Sequence, residues 1–584
     1  MVDPLLITVA GVIVVALVTV LAPRLNVAGP LVLMAIGIAI SLLPFVPAFE
    51  VPPEIILAVI LPPLLYSSAV QLPAIEFRRD FVPIAGLSVL LVIVSALVLG
   101  VFFAAVIPGL GLALGIALGA IVSPTDAVAT SIAKRLGIAP RVVTLLEGES
   151  LLNDATALVL LRTAVAAVAG GFAFGDAAVN FVWGVGVALV LGAIVGWLNL
   201  RVRQHVTNPA ANTALSFTIP FIAYMPTEHL GGSGLVAAVV AGIVTGQGAA
   251  RRFTPEQRLS DNANWRTVEL LLEGGVFLVF GLEVKRIVQQ NLAEHDGLWY
   301  GTWLALATLG IALAVRAGYV AMLIWLQGRR ARRHPKWQER ADTATANLDR
   351  FEKLLVDEPE RFQRGGRQLD PERAQRRVSW MRRRIRRSLA DLDYYRDSPL
   401  GWRHGTVVVW AGMRGVVTLA AAQTLPEDDS TVARPLLIFV AFLVAVFSLS
   451  LQGLTLPAVV RMLGLRGAGG EGPDSGEQSA LGLELRDAAA AAVRGESVAR
   501  RNGSAFPAGM VQRLGDRLTA PPDDDTTAQV RDVLEMRLAL IGVMRTRLNE
   551  LSRDGRYSTA ALRHALAELD ADQISLELRL DDED

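Results

Sequence analysis

Two short stretches of this sequence place oxygen-bearing side chains inside runs that otherwise carry almost none. The first is Ser123-Pro124-Thr125-Asp126-Ala127, halfway along an apolar run over 110–134. The second is Glu147-Gly148-Glu149-Ser150-Leu151-Leu152-Asn153-Asp154, followed at once by the apolar stretch Ala155 to Leu161. Pro124 removes a backbone donor and disturbs the helix just before a carboxylate, which leaves carbonyl oxygens beside an acid. In the second stretch residues four apart share a helix face, so Glu149 stands with Asn153 and Ser150 with Asp154. Asp126, Asp154, the Ser150 hydroxyl and the Thr125 oxygens are hard ligands suited to a small monovalent cation, and no soft ligand accompanies them. A buried carboxylate with two mutually exclusive ligands, a proton or a cation, makes those two compete, and moving it bare through a dry barrier is costly.

A carboxylate as deep as Glu149 needs a positive partner to stay ionised. Gly412-Met413-Arg414-Gly415 supplies one, and an Arg414–Glu149 pair is expected. The flanking glycines allow a close backbone approach or a broken helix, which makes the run over 404–425 a partner to the interrupted run over 110–134. The structural alternative for Arg414 is a clamp that holds two helices without joining in chemistry. Glu269, Glu273, Glu283, Arg162 and Arg316 also fall in or near apolar runs; they line an aqueous funnel, sit at an interface or pair with one another, and receive no role from the sequence.

The elements that must position these groups follow from composition. Of 584 residues 52% are hydrophobic and the mean hydropathy is +0.44, too apolar for a soluble chain of this size. A helix crosses the hydrocarbon core with about 20 apolar residues, and the chain offers about thirteen such runs. The fold class is therefore an all-α polytopic membrane protein. Residues 1–326 and 403–465 form the membrane domain, 327–402 a polar insert between membrane helices, and 466–584 a polar tail with helical patterns around 529–553 and 558–578. By span count the runs over 110–134 and 404–425 point in opposite directions, as inverted repeats with two crossed, discontinuous helices require.

Basic residues occupy every second short connection, from Arg24 through Arg78 and Arg79, Lys134, Arg135 and Arg141, Arg201 and Arg203, to Arg251, Arg252 and Arg258, with only Lys285 and Arg286 dissenting. Positive charge stays on the cytoplasmic side, so the N-terminus is expected outside and the C-terminus inside. The Arg-rich run at 381–387 suits either anionic headgroups or a solvated helix face. Nucleic-acid binding does not suit a loop tethered at both ends to membrane helices. The chain has no cysteine, which removes disulfides and thiolate chemistry, and its six histidines show no metal-ligand spacing.

In these motifs the sequence resembles the monovalent cation:proton antiporters, specifically the branch of bacterial NhaP-type and mammalian NHE-type exchangers. The resemblance spans roughly residues 5–465 apart from the insert. It rests on Leu61-Pro62-Pro63-Leu64-Leu65-Tyr66, Ser123-Pro124-Thr125-Asp126, Glu149-Ser150-Leu151-Leu152-Asn153-Asp154, Phe280-Gly281-Leu282 and Gly412-Met413-Arg414-Gly415, in family order. It implies Asp154 as the essential exchange acid, Asp126, Thr125 and Ser150 helping to hold the cation, and Glu149 paired to Arg414. It also implies a homodimer in a bacterial plasma membrane, Na⁺ and H⁺ as the transported ions, and no cofactor or ATP. Asn153 before the essential acid implies electroneutral one-for-one exchange. The departures are Ala127, where the family often has Pro, and the long insert. A potassium:proton exchanger is the main alternative. A membrane-embedded acid-pair enzyme lacks any mark of a scissile substrate, and a cation channel would call for a symmetric filter. Any ligand of the tail is unknown from the sequence.

Overall fold

The computed structural model describes residues 4–331 except 26, 45, 49, 171–173 and 294–296, then 380–381, 394–395, 399–426 and 434–467, and 490–492, 509, 534, 536–544 and 569–577 of the tail. Most of the insert and tail, including 382–387 of the basic run, lies outside the described residues. The described elements are helices throughout. Closed helices are what a lipid environment selects, because each satisfies its own backbone donors and acceptors.

In chain order they are α1 (Pro4–Leu21), α2 (Gly29–Ser41), α3 (Leu61–Gln71), α4 (Ala74–Arg79), α5 (Phe81–Ala85), α6 (Leu91–Val106), α7 (Gly111–Val122), α8 (Val128–Arg135) and α9 (Pro140–Gly170). There follow α10 (Phe174–Arg203), α11 (Pro209–His229), α12 (Gly234–Arg252), α13 (Pro255–Leu282), α14 (Val284–Ala293), α15 (Leu298–Ala331), α16 (Trp402–Trp410), α17 (Val416–Gln423) and α18 (Arg434–Met462). Among the described residues six helices are long and apolar enough to cross a membrane, accompanied by four shorter apolar ones at Gly29–Ser41, Ile55–Gln71, Gly111–Val122 and Gly234–Ala249. The expected run at 404–425 is divided between α16 and α17, and the one at 110–134 between α7 and α8.

Two compact units result, Met1–Glu471 and Gly472–Asp584. In the second, Leu534, Ile541 and Leu576 are buried together with Leu538 and Leu569 beside them, the spacing of a helix stripe. In the first, one large apolar core runs from α6 and α7 through α9 to α16, α17 and α18. Helices α6 and α7 approach so closely that a Cβ on Gly119 would stand 2.4 Å from the Ala96 carbonyl oxygen, the small-residue packing expected where helices have no hydrophobic reason to prefer each other over lipid. Helix α1 and the outer face of α10 instead leave Val12, Ile13, Leu17, Val182, Trp183 and Val190 exposed, as lipid-facing surfaces would.

Helix α9 carries the second polar motif across this core. Ser88, in a π-helical turn between α5 and α6, donates to the Glu149 carbonyl oxygen at 3.2 Å, and Gly148 leaves room for the Ile84 side chain. The polar segment of α9 is thereby seated against α5 and α7.

Candidate cation site

The site forms where two helices break. Chain direction leaves α7 at Val122 and resumes helix at Val128; it leaves α16 at Trp410 and resumes at Val416. The two gaps meet, and the Asp126 N–H donates to the Met413 carbonyl oxygen at 2.6 Å. Pro124 and the two glycines account for the breaks, since neither gap can continue its ladder of backbone bonds.

Each gap leaves helix ends with partial charge, negative at a C-terminus and positive at an N-terminus. Arg414, only 2% exposed, serves the negative ends: its Nε donates to the Val122 carbonyl oxygen at 3.1 Å, closing α7, and its Nη1 to the Gly412 carbonyl oxygen at 2.5 Å, just past α16. Its own N–H donates to Ser448 Oγ at 2.9 Å, which donates in turn to Gln452 Oε1 at 2.6 Å. Asp126 serves the positive ends. Its Oδ1 accepts from the Val128 N–H at 3.2 Å, and the carboxylate also lies on the backbone amides of Ala127 and Val416. The approach is so close that a Cβ on Gly415 would fall 1.6 Å from Asp126 Oδ2.

The expected pair between Glu149 and Arg414 is not formed. Glu149 is instead held by Arg316 of α15, through Nη1 to Oε1 and Nη2 to Oε2 at 2.9 Å, with both side chains 2% exposed. Arg316 is itself fixed on the Val408 carbonyl oxygen by Nε at 3.0 Å and Nη2 at 2.9 Å. The reason is local: Arg414 is committed to carbonyl groups at the helix breaks, while Arg316 presents a flat fork matched to a carboxylate. Gly412 admits it, since a Cβ there would stand 2.5 Å from Arg316 Nε. The sequence signal for Arg316 was an arginine in the middle of a long apolar helix, as costly as Arg414 and equally in need of a partner.

The two rows on α9 face different ways. Glu149 and Asn153 turn to the broken helix: Thr125 Oγ1 donates to Glu149 Oε1 at 3.0 Å, and Asn153 Nδ2 reaches Thr125 Oγ1 at 2.8 Å and the Thr125 carbonyl oxygen at 3.1 Å. Ser150 and Asp154 turn to a cavity of about 240 Å³, which Thr125 and Asp126 also line. Ser150 Oγ donates to the Glu147 carbonyl oxygen at 3.2 Å, leaving its lone pairs available. No hydrogen bond or ion pair reaches the Asp154 carboxylate from the described residues. The structure thus brings Thr125, Asp126, Ser150 and Asp154 to one chamber, with Asn153 and Glu149 behind its wall and Arg414 at its edge.

The chamber opens past Glu273 and Glu269 of α13 to a mouth where exposed Lys134 pairs with Glu147 at 2.5 Å. Glu269 is met by Gln71 Nε2 at 3.3 Å and lies at hydrogen-bonding limit from Ser67 and Ser68. Beyond Asp154 on the other side, Ala120, Ile121, Ala157, Leu158, Leu161 and Ala421 close around a void with no room for water. Of the remaining ionisable groups the sequence singled out, Arg162 pairs with Glu228 at 2.7 Å, and Glu283 accepts from the Val51 N–H at 3.0 Å and from Gln423 Nε2 at 2.5 Å.

The family model of the transmembrane sodium/hydrogen exchangers matches residues 11–352 and 381–462. The chain belongs to the sodium/hydrogen exchanger family. It is similar to an uncharacterized Na⁺/H⁺ exchanger, YjcE, of Escherichia coli strain K12, with 28% identity over 568 residues, 92% of this chain and 88% of that one. The Na⁺/H⁺ antiporter ApNhaP of Aphanothece halophytica is 25% identical over 419 residues, 71% of this chain and 66% of that one. In fold it is similar to the sodium proton antiporter MjNhaP1 of Methanocaldococcus jannaschii, with a TM-score of 0.54 at 16% identity, covering 79% of this chain and 99% of that structure. As a member of the exchanger family the protein is a multi-pass cation/proton antiporter of the membrane and not an enzyme.

Proposed function

We propose that this exchanger carries Na⁺ against H⁺ by alternating access, with Asp154 as the group that holds either ion. The observation that carries the reading is the chamber itself. A carboxylate that no described residue pairs with or hydrogen-bonds stands at the end of a cavity open on one side and sealed on the other by hydrocarbon. Na⁺ entering along Glu269 and Glu273 would meet Asp154, Asp126, the Thr125 oxygens and Ser150 Oγ, an all-oxygen set suited to a hard cation. A proton on Asp154 neutralises the same carboxylate. Either occupant lets the carrier reorient, and the bare anion is held back by the cost of carrying charge into a dry barrier. Exchange follows from that one prohibition.

In this reading Asp126 is both a ligand and the charge that tethers α8 and α17 by their N-termini. Asn153 holds the Thr125 oxygens in place, Glu149 and Arg316 brace α9 against α15, and Arg414 neutralises the ends of α7 and α16. The interrupted helices are the crossed, discontinuous pair of an inverted repeat within about thirteen spans. With one carboxylate cycling between one Na⁺ and one H⁺, the exchange is electroneutral. The protein works as a homodimer in a bacterial plasma membrane, N-terminus outside and C-terminus cytoplasmic, so that the chamber faces the cytoplasm. Lys134 at its mouth, with Arg135 and Arg141 in the adjoining connection, favours that side.

A second reading, K⁺ for H⁺, draws on relatives described as acting on several monovalent cations. An antiporter of Bacillus subtilis strain 168 described as acting on sodium, potassium, lithium and rubidium is 31% identical over 271 residues, 44% of this chain and 40% of that one. The deciding experiment is the collapse of a preformed pH gradient in everted vesicles on adding NaCl, LiCl or KCl, for wild type and Asp154→Asn. Collapse by NaCl in wild type and silence in a correctly inserted variant are expected. Collapse by KCl alone selects the second reading. An active Asp154→Asn variant removes Asp154 from the mechanism.

A further inference from the structure

The end of the polar insert is built onto the helix that carries the exchange acid. Asp80, fully buried between α4 and α5, accepts from Arg141 Nε at 3.2 and 3.1 Å and from Arg141 Nη2 at 3.0 Å. Arg141 is the second residue of α9, so this pair fixes the start of the helix on which Glu149, Asn153 and Asp154 lie. Two residues of the insert close over it. The Tyr394 hydroxyl donates to Asp80 Oδ2 at 3.0 Å, and the Tyr395 hydroxyl donates to the Arg79 carbonyl oxygen. Both rings also lie against guanidinium groups. Arg141 stands 5.5 Å from the Tyr394 ring centre and 4.7 Å from that of Tyr395, and Arg79 stands 5.0 Å from Tyr394. Burial, and then the neighbouring Asp80 carboxylate, push the Tyr394 phenol above its ordinary range, so it remains a donor at any physiological pH.

Within ten residues of this contact the chain enters α16 at Trp402, and α16 leads to the break at 411–415. The clamp therefore joins the start of α9, the α4–α5 corner and the lead-in to the broken helix. We propose that Tyr394 and Tyr395 are positioning residues that hold α9 at its start against the α4–α5 corner close to the entry of α16, so that α9 and α16 travel as one body through the transport cycle. The reason to expect a permanent tie and not a gate is the ion pair beneath it. Lifting the two rings would expose or unpair charges that are buried and mutually satisfied, and a buried pair is costly to break from one side. Each aromatic face adds a cation–π contact that is strongest when desolvated. The sequence offered no sign of this, because two tyrosines in a polar, arginine-rich insert read as surface.

The inference rests on the transport reading above, and its test separates the two. The chain lacks cysteine, so Arg79→Cys with Tyr395→Cys provides a unique pair for a short bifunctional maleimide. Cation-driven collapse of the pH gradient is measured per folded transporter in everted vesicles, with the wild type alongside. The expected result is a turnover reduced at least fivefold in the unlinked double variant, with the Na⁺ concentration for half-maximal rate within twofold of wild type, and recovery to at least half the wild-type turnover after cross-linking. Wild-type turnover before linking overturns the proposal, as does a cross-link that leaves turnover low or abolishes it, the last result marking a contact that must open. If the double variant does not fold, Tyr394→Phe keeps the ring and removes one hydrogen bond. It is expected to slow turnover two- to fivefold at unchanged half-saturation, and an unchanged turnover overturns the proposal. A wild type silent to every cation would instead count against the transport reading alone.

Discussion

Replacing Glu149 by Gln leaves the Arg316 guanidinium buried and uncompensated, and that perturbation distinguishes the observed partner from the one the sequence favoured. Both members of the pair are 2% exposed and joined by two parallel bonds. Removing one charge from such a pair costs about 3–5 kcal/mol, most of it the penalty of stranding the other. Arg316→Met should cost a similar amount, although Glu149 then keeps the Thr125 hydroxyl. The double variant, Glu149→Gln with Arg316→Met, strands no charge and should recover at least half of either single loss. The same cycle with Arg414→Met in place of Arg316→Met should recover much less, because Arg414 donates to carbonyl oxygens of Val122 and Gly412 and those acceptors lose their partner whatever stands at 149. The assay is thermal unfolding in detergent, read by the size-exclusion peak remaining after a fixed heating schedule, since an irreversible transition depends on heating rate. A coupling of Glu149 to Arg414 equal to or greater than its coupling to Arg316 would refute the geometry described here.

Two further outcomes follow from the chamber. Gly415→Ala forces a methyl group onto the Asp126 carboxylate, 1.6 Å from Oδ2 by the native backbone, so the carboxylate or α17 must shift. At about 1–3 kcal/mol for overpacking, the Na⁺ concentration for half-maximal exchange should rise roughly 5- to 150-fold, and an unchanged value in the vesicle assay would show that Asp126 is not a ligand. Electroneutral exchange predicts that clamping the membrane potential with valinomycin and K⁺ changes the Na⁺-driven rate less than twofold in proteoliposomes; a rate that tracks the potential would point to more than one proton per cation.

Much of the site could be read from the sequence because its members are polar residues stranded in apolar runs. Thr125, Asp126, Asn153 and Asp154 are conspicuous for that reason, and the helical period alone places Glu149 with Asn153 and Ser150 with Asp154. The breaks in the helices were likewise legible, at Pro124 and between Gly412 and Gly415. What spacing could not supply was a choice between arginines. Arg316 and Arg414 are equally expensive in a membrane helix, and only the packing of α15 against α6 and α16, which brings Arg316 within reach of Glu149, and the prior commitment of Arg414 to carbonyl oxygens decide which meets Glu149. The two glycines around Arg414 were expected to loosen the helix, and they do so, but each also makes room for a side chain from elsewhere, Arg316 at Gly412 and Asp126 at Gly415. Tyr394 and Tyr395 were illegible for the opposite reason. In a polar stretch an aromatic pair has no contrast with its surroundings until the surface beneath it is known.

The dry wall beyond Asp154 carries a burden that the ligands do not. A cell that stores energy as a proton gradient loses it through any continuous file of water, and one leaky carrier discharges ions far faster than a tight one exchanges them. Ala157, Leu158 and Leu161 lie one to two helix turns past the acid, so the insulation at this point is only a few side chains thick. Methyl and isobutyl groups offer water no hydrogen bond there. For this molecule, hydrocarbon at those positions is what turns a binding pocket into a lock with one door open at a time.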